Sequence, residues 1–432
     1  MRIILLCIIV FMLQNVNPVV SHKSKTVKKT ISKQMDPYPN SIKRYPPVKI
    51  SRKQKVITGL EVLLEDADSL LKDKRIGLIV NHSSINSKGK HIIDLLHPKY
   101  KIAKIFAPEH GVRGNFDDNV SDSKDEKSGL QIISLYQGNK KAPTKEDLID
   151  IDILIFDIQE IGVRYYTYAT TMILAMKAAK ENGKRIIILD RPNMAGHLGV
   201  YGPLLDKKYW GGFAGYYPIP LSHGMTIGEL AAYYNEEEKI GADIQVIAMK
   251  NYSRKLFYDE TGLPWRKPSP NIPDMESVIG YHLGGALERL NISVGRGTIA
   301  PFLMFGAPGI NGNKLARELN KARLPGLKFE KIRFSPAFSN FKGKRCEGFR
   351  IVIRDRRKID PMRTLITIAK QVYSALPGKE KMEHWMQVSG SIGRPEIAKA
   401  VAEDKTVESI LTEIGQETTD FLKLRKKYLR YE

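Results

Sequence analysis

The sequence predicts a doubly wound α/β domain on a mainly parallel sheet, followed by a smaller α+β unit. Three observations carry this. From residue 57 onward, segments with apolar residues at helical spacing are followed by short, nearly continuous apolar runs, the pattern of strands buried on both faces. Helices and strands alternate, as a parallel sheet with crossover helices requires. The chain has 432 residues, 42% apolar and 8% aromatic, enough to bury a large core in more than one domain.

The elements follow in order. LEVLLEDADSLL (60–71) predicts a helix and RIGLIVN (75–81) the first strand. HIIDLLH (91–97) predicts a short helix and KIAKIFA (101–107) the second strand. A polar, acidic loop (115–128) precedes the strand IDILIFDIQ (151–159). YTYATTMILAMKAAKENG (166–183) is a helix closed by Gly183, and RIIILDRP (185–192) is a fourth buried strand. Thr226 opens the helix TIGELAAYYNEE (226–237), and IQVIAMK (244–250) is another strand. Residues 56–309 make up the first domain. From 310 to 432 a second unit is expected, with strands near LKFEKIRFSP and CEGFRIVIRD and helices at 361–375, 394–403 and 406–415.

The N-terminus differs. Arg2 precedes IILLCIIVFML, an apolar run too short to span a bilayer but matched to the core of a signal peptide. Small residues around VVS (19–21) offer a cleavage site. A cleavable signal over 1–21 is expected, rather than a buried or anchoring helix, with an exported protein that is periplasmic or secreted. Cys7 lies inside that run, so Cys346 stands alone in the mature chain without an intrachain disulfide partner. Residues 1–55 hold twelve Lys/Arg against Asp36, +11 of the net +22. With few large apolar residues and several prolines, 22–55 reads as a disordered basic leader. For an exported chain, anionic envelope surfaces suit this charge better than nucleic acid; a solvated tail is the alternative.

Ligands of doubly wound sheets bind beyond the carboxyl ends of the strands. Here the first strand ends in Asn81-His82 and the second in Pro108-Glu109-His110. The third ends in Asp157, Gln159 and Glu160 with Arg164 close behind, and the fourth in Asp190-Arg191. PLSHGMT adds His223, with Glu229 one turn inside the next helix, and SVGRGT sets Arg296 between two glycines. No GxGxxG follows the first strand and no GxxxxGK[ST] occurs, so a nucleotide lacks its usual phosphate cradle. His82, His110, His223 and Asp190 are metal-type side chains, but HExxH and HxH spacings are absent. A serine nucleophile lacks its GxSxG elbow. That leaves paired carboxylates, one protonated and one ionised, as the simplest machinery for acid/base or glycosyl transfer. Glu109, Asp157, Glu160 and Glu229 are the candidates.

APEHGVRG (107–114), SLYQGNKKAPT (134–144), DIQEIGVRYYTY (157–168), LDRPN (189–193), PIPLSHGMTIGELA (218–231), PSPNIP (268–273), SVGRGT (293–298) and GAPG (306–309) occur in this order. With FSPAFSNFKGKRCEG (334–348) and RKKYLRY (425–431), they closely resemble the bacterial exo-β-N-acetylmuramidases of the NamZ type, from about residue 57 to the end. The resemblance implies a Rossmann-like domain with an auxiliary C-terminal domain and no nucleotide cofactor. It implies a glycosidase that removes N-acetylmuramic acid from the non-reducing end of peptidoglycan fragments. Its partners would be those fragments and muramyl saccharides. Glu109 is then expected to be one catalytic carboxylate and Glu229 or Glu160 its partner, tuned or positioned by His110 and His223. Asn81, His82, Asp157, Gln159, Arg164, Asp190, Arg191, Asn271 and Arg296 are expected to bind substrate. Arg164, Arg191 or Arg296 could hold the lactyl carboxylate of muramic acid in a bidentate fork. Two departures stand out. The family's DIQD is DIQE here, lengthening the acid at Glu160, and its EGTN is Glu288-Arg289-Leu290-Asn291. A non-catalytic envelope-binding protein and a metal-dependent amidase or deacetylase are the rival readings.

Overall fold

The computed structural model describes residues 55–114, 121–376 and 381–432. The expected signal peptide and the basic leader, Lys55 excepted, lie outside the described residues, as does the first part of the acidic loop.

Helix α1 (Gly59–Glu65) starts at Thr58, whose side chain and that of Glu61 form a capping box. Strand β1 (Ile76–Val80) leads into α2 (Ile92–Leu96), which His91 caps by accepting from the backbone N–H of Ile93. The sheet continues through β2 (Ile102–Ala107), β3 (Ser123–Lys124), β4 (Gln131–Ser134) and β5 (Ile153–Asp157). Helix α3 (Tyr168–Glu181), β6 (Arg185–Leu189), the small hairpin of β7 (Tyr201–Leu204) and β8 (Pro220–Ser222), α4 (Ile227–Glu237) and β9 (Ile244–Ile247) complete the first domain.

The seven strands of the main sheet lie in the order β3-β4-β2-β1-β5-β6-β9. All neighbours pair in parallel except β3, which is antiparallel to β4. From β4 to β9 this is the dinucleotide-fold order 3-2-1-4-5-6, with its switch point between β1 and β5. The apolar runs are continuous because alternate residues serve two cores. Ile79, Leu154, Phe156, Ile186 and Ile188 face the core that contains α3 and α4. Leu78, Val80, Ile153, Ile155, Ile187 and Leu189 face a separate core under α1 and α2.

The second domain is a three-stranded sheet in the order β10-β12-β11, formed by β10 (Met304–Ala307), β11 (Leu327–Phe334) and β12 (Cys346–Ile353). β11 and β12 pair antiparallel from Leu327↔Ile353 to Phe334↔Cys346. Strand β10 precedes the join expected at 309–310. Helices α5 (Met275–Gly284), α6 (Gly312–Lys321), α7 (Pro361–Ala375), α8 (Lys381–Ile392), α9 (Pro395–Ala402) and α10 (Val407–Arg425) complete the chain. Three expectations differ in detail. The helix over 60–71 breaks after Glu65 and resumes at Asp68–Leu71. The helix at 406–415 runs on to Arg425. Strands β3, β4, β7, β8 and β10, of two to four residues each, and helices α5, α6 and α8 lie outside the expected elements.

Candidate active site

The carboxyl ends of β2, β1, β5 and β6 lie side by side, because those strands are neighbours in the sheet. Their charged ends nevertheless divide into two groups: an open pocket, and side chains that serve the fold.

The pocket forms where β2 ends. After Pro108 the chain turns back sharply, with His110 at φ 70° and Gly111 at φ 68°. A left-handed conformation costs a non-glycine residue such as His110 about 1–2 kcal/mol, and it lifts Glu109 and His110, both half-buried, off the strand end. Glu109 Oε2 accepts a 2.8 Å hydrogen bond from Thr167 Oγ1, just before α3. With Glu109 and His110, the pocket is lined by Tyr165, Tyr166, Thr167, Ser269, Asn271, Ile272, Tyr281, Glu288, Arg296 and Phe302, and its volume is ≈ 120 Å³. That holds part of a small ligand, the rest lying at the open mouth. The Tyr165 hydroxyl donates to Tyr281 O at 2.7 Å and the Tyr166 hydroxyl to Pro268 O at 2.7 Å, which fixes both rings. Tyr281 packs edge-on against Phe302, with ring centroids 4.7 Å apart, and completes an aromatic wall. A second carboxylate in the lining, Glu288, is ion-paired to Arg296; the two side chains are 32% and 33% exposed.

Four of the sequence candidates meet here: Glu109, His110, Asn271 and Arg296. Glu229 is elsewhere and is fully buried. Its Oε2 accepts from Thr226 N at 2.9 Å, closing the capping box of α4. Arg254 grips both of its oxygens, at 2.9 and 3.3 Å, and Arg430 N donates to Oε1 at 2.7 Å. Asp190 is equally engaged, by Arg191 N, Gly228 N, Thr226 Oγ1 and the Tyr431 hydroxyl. Burial still pushes its carboxyl up to about 6.

The remaining candidates also carry structural bonds. Arg191 forks onto Asp157 at 2.5 and 2.8 Å and also donates to Ile85 O; burial raises the Asp157 carboxyl against that pull. Arg164 donates to the carbonyls of Pro203, Ile219, Ser391 and Ile392. It thereby satisfies the open end of α8, and burial lowers its guanidinium to about 10. Glu160 accepts from Gly162 N and sits 3.5 Å from His223 Nε2, both side chains buried. His223 Nδ1 accepts from Met225 N, so its proton is on Nε2, toward Glu160. Gln159 donates to Glu160 O and Pro192 O, and Asn81 accepts from Ser83.

His82 donates to Lys267 O at 2.6 Å and borders a neighbouring basic cleft with Lys90, Arg113, Lys127 and Arg266. The carboxylate there, Asp94, is paired with Arg113 and Lys127, so the cleft has no free acid/base pair among its described lining. Among the described residues no group of three or more His, Cys, Asp or Glu side chains could hold a metal ion.

Two family descriptions match the chain: the N-terminal part of exo-β-N-acetylmuramidase NamZ over residues 76–276, and its C-terminal part over 279–431. The chain belongs to the exo-β-N-acetylmuramidase NamZ family. A NamZ relative, the peptidoglycan β-N-acetylmuramidase NamZ of Bacillus subtilis (strain 168), is 43% identical over 385 residues, 88% of this chain and 92% of that protein. Two crystal structures of DUF1343 family proteins from Bacteroides fragilis NCTC 9343 share the fold. One has a TM-score of 0.80 at 35% identity and the other 0.70 at 30%; each covers 88% of this chain, and they are matched over 100% and 99% of their own lengths. The pocket draws its lining from both NamZ parts: Glu109 to Ile272 from the first, Tyr281 to Phe302 from the second. Lining residues not among the site residues expected from the sequence are Tyr165, Tyr166, Thr167, Ser269, Ile272, Tyr281, Glu288 and Phe302. The first three stand inside DIQEIGVRYYTY, and Glu288 opens the segment that departs from EGTN.

Proposed function

We propose that this chain is an exo-acting glycoside hydrolase that releases N-acetylmuramic acid from the non-reducing end of peptidoglycan fragments, with Glu109 and Glu288 as its two working carboxyl groups. The observation that carries the assignment is that one pocket holds both, on an aromatic wall, while Asp157 and Glu229 are buried and bonded inside the protein and Glu160 is buried beside His223. Among the described residues Glu109 accepts from the Thr167 hydroxyl, and it is assigned the proton donor to the glycosidic oxygen. As the C1–O bond breaks, positive charge develops at the anomeric carbon, and the ionised Glu288 stabilises it. Water supplies the hydroxyl that ends on the released sugar and the proton that returns to Glu109. The aromatic wall offers its faces to the C–H face of the ring.

The test is release of N-acetylmuramic acid from a muramyl disaccharide by the purified protein, with and without a chelator. Release that persists with chelator and is lost in Glu109→Gln is expected. No release by the parent would favour a non-catalytic envelope-binding protein, and loss on chelation a metal-dependent amidase or deacetylase. The apolar run after Arg2 and the small residues at 19–21 support export, and the basic leader supports contact with anionic envelope polymers. N-terminal sequencing of the protein recovered outside the cytoplasm should begin after residue 21; an intact Met1 would overturn the export reading.

A further inference from the structure

Among the described residues lining the pocket, Arg296 is the one permanent cation, and it is already ion-paired with Glu288. N-acetylmuramic acid differs from N-acetylglucosamine by a lactyl ether that ends in a carboxylate. A sugar bearing that group enters a pocket with two carboxylates and one arginine, and the arginine is taken. We infer that Arg296 is a carboxylate receptor for which Glu288 is the internal stand-in: the lactyl carboxylate displaces Glu288 from Arg296, and only then is Glu288 free to face the anomeric carbon. This rests on the proposed glycosidase reading and adds to it the means by which muramic acid is told from glucosamine.

The two partners are held differently. Arg296 stands between Gly295 (φ 82°) and Gly297 (φ 78°), in a backbone form that side chains rarely adopt. A Cβ on Gly295 would meet Ala300 O and Met304 O at 2.9 Å, and one on Gly297 would meet Phe338 N at 2.6 Å. The loop is pinned by Ala337 N donating to Gly297 O at 2.9 Å and by Thr298 Oγ1 donating to Gly295 O at 2.6 Å. The receptor is therefore fixed at its base. Glu288 rides on a single 3-10 turn, Gly285–Arg289, and about a third of its side chain is open to solvent. Once displaced it can be hydrated, so release costs little.

An ion pair this exposed shifts an equilibrium by up to about fivefold, which an incoming carboxylate in a bidentate fork can outcompete. A sugar without the lactyl group leaves the pair closed and Glu288 neutralised. It loses both the receptor contact and the second catalytic group, a selectivity larger than one missing contact would give.

The experiment is calorimetric titration of free N-acetylmuramic acid and free N-acetylglucosamine into the parent, Glu288→Gln, Arg296→Met and Arg296→Lys, each checked for an unchanged unfolding midpoint. Glu288→Gln removes the competitor, so it should bind N-acetylmuramic acid on the order of 5- to 10-fold more tightly, with N-acetylglucosamine unchanged, even though its turnover falls. Arg296→Met should lose N-acetylmuramic acid by on the order of 100-fold and keep N-acetylglucosamine; Arg296→Lys should lie between. Equal or weaker binding of N-acetylmuramic acid by Glu288→Gln, or equal loss of both sugars in Arg296→Met, would overturn the exchange. The parent's release of N-acetylmuramic acid from a muramyl disaccharide, run in parallel, reports on the glycosidase reading separately. The exchange can fail while release stands, and release can fail while the two sugars still titrate as described.

Discussion

Two pairs of carboxylates behave in opposite ways. Asp190 and Glu229 are buried and have their oxygens taken up by backbone N–H groups, hydroxyls and Arg254. Glu109 and Glu288 line a pocket, one bonded to a threonine hydroxyl and the other to an arginine that is a third exposed. A carboxylate whose lone pairs are all committed cannot move a proton without breaking the fold; one with spare capacity at a cavity can. Access to a cavity, more than position along the strand, separates the two pairs.

The comparison breaks most readily at Glu109. Glu109→Gln should reduce sugar release on the order of 10³-fold and leave the unfolding free energy within about 0.5 kcal/mol, read by product assay and denaturant titration. An equally large loss of stability would move Glu109 into the structural class. Glu229→Gln should do the reverse. Removing the buried charge that holds the half-buried Arg254 should cost about 3 kcal/mol, while turnover per folded molecule stays near that of the parent.

Acid titration should expose a third set of buried groups. Burial lowers His282, which is bonded to the Tyr201 hydroxyl and Ile161 O, to about 4 from its ordinary 6.5. The unfolded chain therefore binds more protons between pH 6.5 and 4, and stability falls as the pH falls through that window. The effect is up to about 3 kcal/mol for this residue. His82 and His91, also lowered to about 4 by burial, act in the same sense. In His282→Gln the unfolding midpoint should depend less steeply on pH over that range; an unchanged slope would refute the assignment. The smallest effect is expected of Thr167→Val, which removes one hydrogen bond to Glu109 and should slow release about 10-fold with no shift in the unfolding midpoint.

Much of this was legible in the sequence, for identifiable reasons. Strands β1, β2, β5 and β6 are buried on both faces, so each reads as an unbroken apolar run, and their order of appearance brought Glu109 and His110 to notice. Glu229 looked reactive beside His223, yet Thr226-Ile227-Gly228-Glu229 also spells a capping box, a structural signal present in the letters. Arg164 looked like a carboxylate fork because nothing local pairs it with the carbonyls at the end of α8, more than two hundred residues further along the chain. Glu288 was noticed only as a departure from EGTN. Its place beside Glu109 depends on how the segment after α5 folds over the first domain, a long-range fact that local patterning does not encode.

The reach of Arg430 and Tyr431 back to Glu229 and Asp190 bears on the order of assembly during synthesis. On the ribosome the two acids emerge some two hundred residues before the groups that satisfy them. Until then Glu229 has Thr226 and Arg254, and Asp190 has Arg191, Thr226 and Gly228, with one bond of each acid still to be made. The last residues of the chain thus finish a bonding network that the first domain begins, and that network is complete only when nearly the whole chain has been made.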